Sequence, residues 1–229
     1  ARGIASVLVM LYHCNSVVQS PKYFGDQPFG GFFGLAGVRM PFFFAMSGFM
    51  LSMVHARDIG QPERLERYLL SRFARIYPVY WLVLLVVIPV YLARPDFGGG
   101  AGTATLGTLV GSFLLWPQPG VPYLAVAWTL QSMVLFYAVF ALAIWRRWVG
   151  AVVFVVWQSA VLFAVIVHAQ LDFPWSFLLQ PLYFNFLLGG IAAQVAMRGN
   201  VRRPRVWFAA GLLYLVSAAL TDFTGHTYM

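Results

Sequence analysis

Seven apolar runs long enough to cross a hydrocarbon layer divide this chain, at about 3–19, 35–54, 76–93, 123–145, 149–168, 177–197 and 206–223. Runs of that length in lipid must close their backbone hydrogen bonds within themselves, and the helix does so. Charged residues make up 10% of the 229 and hydrophobic ones 61%, against about 25% charged in a soluble domain. The expectation is an all-α polytopic transmembrane bundle, a single domain over 1–229 that is incomplete at both ends. An eighth apolar stretch, about 104–116, is too short to span and is expected to be re-entrant or interfacial. Gly107 and Gly111 within it form a GxxxG pattern, read as chance in a glycine-rich chain ahead of a helix contact.

Charge orients the bundle. The net charge is +8, which in a soluble domain would point to nucleic acid. In this chain it follows the positive-inside rule, and no nucleic-acid partner is expected. With the Arg2 end in the cytoplasm and one crossing per run, Arg2, Arg57, Arg64, Arg67, Arg72, Arg75, Arg146, Arg147, Arg198, Arg202, Arg203 and Arg205 all fall inside. These are 12 of the 15 basic residues. Counting 104–116 as a span would move Arg146 and Arg147 outside, so the bias favours seven crossings. Cys14 is the single cysteine and excludes an intrachain disulfide.

Within the first run, Arg2 and His13 lie eleven residues apart. On a helix that returns His13 to within about 20° of Arg2, about 16 Å deeper. An ionisable group near the midplane is costly and usually functional. A neutral imidazole there can act as a general base, and Arg2 can hold a phosphate or a developing anion. The plainer alternatives are a histidine bonded within a bundle and a snorkelling anchor. Arg72 and Arg75, three apart, share a helix face and suit a phosphorylated ligand, or else anchor to anionic lipid. Ser47 in the tripeptide Ser47-Gly48-Phe49 reads as helix packing, since no nucleophile elbow surrounds it. Trp128, Phe136 and Tyr137 read as core, or as lining of an outer-facing cavity. Gln158, Asn185 and Gln194 can bridge helices by hydrogen bonds. His55 and His226 lie at span ends. No cluster has metal-ligand spacing, so no metal is expected.

In this order, RGIASVLVMLYH (2–13), GVRMPFFFAMSGFML (37–51), RFARIYPVYW (72–81), AWTL with Phe136-Tyr137, and FNFLLGGIAA (184–193) resemble the membrane-bound acyltransferase-3 family of bacterial inner-membrane enzymes. The similarity is greatest to members that acylate exopolysaccharide or related cell-surface glycans, and it covers almost the whole chain. Family members usually have about ten spans, so the resemblance implies that C-terminal spans lie beyond this chain.

The resemblance implies an O-acyltransferase with no permanently bound cofactor. It would move an acyl group, acetyl by expectation, from cytoplasmic acyl-CoA to a sugar hydroxyl of an exported glycan. Its partners would be membrane lipid, acyl-CoA and the glycan acceptor. His13 and Arg2 match the family's catalytic Arg-x10-His motif, Arg72 and Arg75 its donor-associated RxxR, and Ser47, Gly48 and Phe49 its SGF motif. Trp128 and Tyr137 belong to the WTL segment. The family usually carries a glutamate five residues after that tryptophan, where this chain has Met133. The departure leaves a second expectation, a catalytically inactive scaffold or transporter-like bundle associated with glycan export.

Overall fold

The computed structural model describes residues 10–11, 14, 18, 39–93, 105–119, 122–124, 127–199 and 211. The expected spans at 3–19 and 206–223 therefore lie largely outside the described residues. Among those described, all regular structure is helical: α1 (Arg39–His55), α2 (Leu65–Ala93), α3 (Leu106–Leu114), α4 (Ala127–Trp145), α5 (Arg147–Ile166), α6 (Trp175–Leu178) and α7 (Phe184–Met197). Short 3-10 turns occupy Pro62–Arg64 and Pro181–Tyr183. Four stretches are long and apolar enough to cross a membrane: Pro62–Ala93, Ala127–Trp145, Arg147–Ile166 and Trp175–Met197. Met40–His55 is apolar and shorter. The expected 177–197 run is broken at Leu179–Gln180, beside Pro181, as a residue without an amide hydrogen favours.

The chain forms two compact units, residues 1–54 with 182–229, and residues 55–181. In the first, α1 and α7 meet through glycine. A Cβ on Gly48 would collide with the Phe186 backbone carbonyl, and one on Gly189 with the Ala45 carbonyl. Small residues let backbones approach this closely, which is how helices associate in lipid without a hydrophobic drive between them. Phe44 fills the adjacent space, its ring centroid 4.8 Å from Phe186 and 6.3 Å from Tyr183.

In the second unit α4 and α5 form a hairpin around Arg146, with Gly150 against the Ala143 backbone. The short helix α3 packs on α2. Nine residues rise only about 13 Å, so α3 cannot cross a bilayer, and its ends must find partners inside the chain. Thr105 and Thr108 close its start as a capping box. At its end all four orphan carbonyls are taken up. Gly111 O accepts from Trp116 N at 2.8 Å, and Ser112 O from Leu115 N at 3.2 Å. Tyr80 Oη donates to Ser112 O at 2.6 Å, Trp81 Nε1 to Phe113 O at 2.8 Å, and Tyr77 Oη to Leu114 O at 3.0 Å. These three donors give the Tyr77–Trp81 segment a structural task.

Leu115 ends α3 with φ 53°, a left-handed conformation usually given to glycine. Its side chain is 1% exposed and packs with Tyr80, Leu84, Ile88, Tyr123 and Ala127, which offsets the backbone strain. Among the described residues the GxxxG at Gly107 and Gly111 makes no helix contact. A Cβ on Gly107 would meet only Thr105 Oγ1, and one on Gly111 only the Gln118 side chain.

The α1–α7 contact carries a prediction. Gly48→Ala should lower the stability of the detergent-solubilised protein by about 1–3 kcal/mol, the usual cost of overpacking. Thermal unfolding checks this, and a glycine-to-alanine gain from helix propensity with no loss would contradict the close approach.

Candidate functional site: an arginine beside two tyrosines

The turn between α1 and α2 fixes three side chains. His55 ends α1, and Asp58 N donates to His55 O at 2.9 Å. Gly60 adopts φ 81°, which glycine takes without a Cβ penalty. Its amide donates to Ala143 O at 3.0 Å, pinning the turn to the end of α4. Arg64 then starts the ascent into α2, and Tyr68 and Arg72 follow at successive helical turns on one face.

These residues form a continuous chain of contacts. Arg64 Nη1 donates to Asp58 Oδ1 at 2.8 Å. Asp58 Oδ2 lies 2.7 Å from His55 Nδ1, and His55 Nε2 lies 2.8 Å from Arg72 Nη2. A guanidinium can only donate, so His55 Nε2 is the acceptor and Nδ1 carries the hydrogen that Asp58 receives. The network thus assigns the tautomer. The Arg72 guanidinium carbon sits 5.5 Å from the ring centroids of both Tyr68 and Tyr137, in reach of cation–π attraction. Tyr68 Oη donates to Tyr137 O at 3.2 Å, and Phe140 stacks on Tyr68 at 5.9 Å. The His55 ring packs edge-on to Tyr68 at 5.0 Å.

Arg72 is half-buried, and Tyr137 is eight residues from the end of α4. The guanidinium therefore sits beside the middle of an apolar helix, about 12 Å from its Trp145 end. Among the described residues the Asp58 carboxylate pairs with the Arg64 guanidinium and accepts from His55, and neither contact brings an anion to Arg72. Its Nε is buried without a hydrogen-bond partner. A cation at this depth normally meets a carboxylate or a ligand. Arg75, three residues on, is exposed. The two arginines expected to act together thus sit in different surroundings, one walled by aromatic rings and the other at the surface.

The other expected residues divide similarly. Arg2 and His13 lie outside the described residues. Ser47 is 7% exposed, and its hydroxyl donates to Phe43 O at 2.8 Å, a bond back to the preceding turn. Gly48 beside it meets the Phe186 backbone, and Phe49 is half-buried. Tyr137 is buried and forms part of the Arg72 wall, while Trp128 is half-buried, its carbonyl accepting from Ser132 Oγ at 3.0 Å. Met133 is half-buried. Its neighbour Gln131 is committed elsewhere, with Nε2 donating to Trp116 O at 3.0 Å. Among the described residues Gln158 bridges no helices, and both its amide atoms are buried without a partner there. Asn185 bonds locally, to Leu182 O at 2.9 Å. Sequence reasoning leaves His55 at a span end and does not single out Asp58. Their i, i+3 spacing at a helix terminus was the available signal.

The His55 N–H bonded to Asp58 holds its carboxyl below the ordinary carboxylate range; burial opposes this and Arg64 adds to it. A carboxylate with a lowered folded value contributes stability above its unfolded value, about 3.9, and loses it as pH falls through the folded one. Asp58→Asn should therefore cost about 1–2 kcal/mol at pH 6, the scale of a charge-assisted hydrogen bond. The difference from wild type should shrink below about pH 4. Unfolding temperatures of both proteins at pH 6 and pH 3.5 check this; a gap that widens in acid would contradict it.

A family model described as an acyltransferase domain matches residues 1–228. The chain is 30% identical over 181 residues to the exopolysaccharide production protein ExoZ of Rhizobium meliloti (strain 1021), an alignment covering 73% of this chain and 53% of that protein. The chain thus spans about half the length of this curated relative. No solved structure matches it. Matched by that model over residues 1–228, and with four spanning-length apolar helical stretches among its described residues, the chain belongs to the acyltransferase-3 family of integral membrane proteins.

Proposed function

We propose that the protein transfers an acyl group, acetyl in the simplest case, from cytoplasmic acyl-CoA to a sugar hydroxyl of an exported or cell-surface glycan. It would do so in the bacterial inner membrane with the Arg2 end cytoplasmic. The observation that carries the donor half of this reading is Arg72, a half-buried cation with no ion pair among the described residues. A phosphate of the donor supplies the anion that such a group lacks. Exposed Arg75 meets the same ligand from the surface. The name of the Rhizobium relative supports an exopolysaccharide acceptor.

The chemistry follows from the residue types. The sugar hydroxyl attacks the thioester carbonyl while His13 accepts its proton. An ester forms, the carbon–sulfur bond breaks, and CoA leaves as its thiol with that proton. Arg2, eleven residues before His13 in the sequence, would steady the donor's charge. Met133 favours the alternative of a catalytically silent bundle, because a thioether neither takes a proton nor binds a hydroxyl well.

Mass spectrometry of surface glycan separates the two. Cells expressing the full-length gene should carry acyl groups that cells expressing His13→Ala lack, with at least a hundredfold reduction expected on loss of a general base. Unchanged acylation in that variant would refute the mechanism.

A further inference from the structure

The structure assigns His55 and Asp58 a task that the proposed reaction leaves unfilled: we infer that they position the Arg72 guanidinium for the donor's phosphate. The inference rests on the acyl-CoA reading above and names a residue pair outside the motif positions of that reading.

Position is the problem that Arg72 poses. Its side chain has several rotatable bonds, and its flanking groups are aromatic faces, which attract a cation without fixing its rotation. Directional bonding comes from His55. Its Nε2 accepts from Arg72 Nη2 at 2.8 Å, and Nε2 is free to accept because Nδ1 carries its hydrogen toward Asp58 Oδ2 at 2.7 Å. Asp58 is held in turn by Arg64 at 2.8 Å. The His55 ring is fixed edge-on against Tyr68, 5.0 Å between centroids. Orientation passes from Arg64 through the carboxylate and the imidazole to one terminal nitrogen of Arg72. That bond uses one of five guanidinium hydrogens. It leaves the other terminal nitrogen as a donor for an anion, while Nε is buried without a partner. A neutral acceptor suits this task better than a carboxylate would, because it directs the guanidinium without neutralising the charge that the ligand needs.

Two amide replacements separate this task from plain scaffolding. The amide end of glutamine reaches the place of Nε2, so His55→Gln keeps an acceptor for Arg72 and gives up Asp58. Asparagine is shorter and reaches the place of Nδ1, so His55→Asn keeps a donor for Asp58 and abandons Arg72. The experiment is equilibrium binding of radiolabelled acetyl-CoA to the purified full-length protein and to Arg72→Ala, His55→Gln and His55→Asn, each checked for its unfolding temperature. The expected result is loss of binding in Arg72→Ala, about tenfold weaker binding in His55→Asn, as for a lost bond to a charged group, and near-wild-type affinity in His55→Gln. Wild-type affinity in Arg72→Ala, or no binding by the wild type, overturns the donor-site reading itself. Loss in Arg72→Ala with unchanged affinity in His55→Asn overturns the positioning role alone, as does a His55→Gln protein that binds as poorly as His55→Asn.

Discussion

A polar group carried into hydrocarbon has no water to turn to, and each one left unmatched costs several kcal/mol. The described helices are arranged around that constraint. Helix α3 is too short to cross a bilayer, so its C-terminal carbonyls would be stranded were they not met by Tyr77, Tyr80 and Trp81 of α2 and by the chain's own turn at Leu115. Ser47 returns its hydroxyl to the Phe43 carbonyl, and Gln131 takes the Trp116 carbonyl. Where a glycine removes the side chain, as at Gly48 against the Phe186 backbone, the helices approach more closely than a Cβ would allow.

Against that background the exceptions mark where function can reside. Arg72 brings a full charge alongside an apolar helix, and its partners among the described residues are a neutral imidazole and two aromatic faces. Holding a cation beside an apolar helix without an opposite charge costs desolvation free energy, so its presence is accounted for by a ligand better than by folding. The turn that holds it is well tied: Gly60 to the Ala143 carbonyl, Asp58 to His55 and Arg64. A rigid base under a directed charge is the arrangement that phosphate recognition requires.

Much of this was legible in the amino-acid order. Length and hydropathy mark the apolar stretches, with boundaries within a few residues for α4 and α5, because nothing competes with hydrophobic run length there. The start of α2 was missed: the 76–93 run begins eleven residues after Leu65, since the arginines that precede Tyr77 depress hydropathy without breaking the helix. The short 104–116 stretch was rightly set apart from the spans, yet its capping by Tyr77 and Trp81 is a tertiary fact that no local pattern encodes. Ser47 reads as helix packing from its surroundings in the sequence, and its hydroxyl bonds back to the Phe43 carbonyl. His55 was passed over because a histidine at a span end is ordinary alone, and it becomes informative only once the fold brings Arg72, seventeen residues later, to its Nε2. Tyr137 read as core or cavity lining, and its place under Arg72 depends on the register between α2 and α4.

The central claim is that Arg72 is kept for an anionic ligand and not for stability. Its most direct test is the effect of CoA on the unfolding temperature of the purified protein. A ligand that binds only the folded state at a hundred times its dissociation constant stabilises by about 2.7 kcal/mol. The account predicts a CoA-dependent rise in the wild type that is absent in Arg72→Ala, with the ligand-free Arg72→Ala protein still folded. An equal rise in both proteins, or collapse of the ligand-free variant, would contradict it.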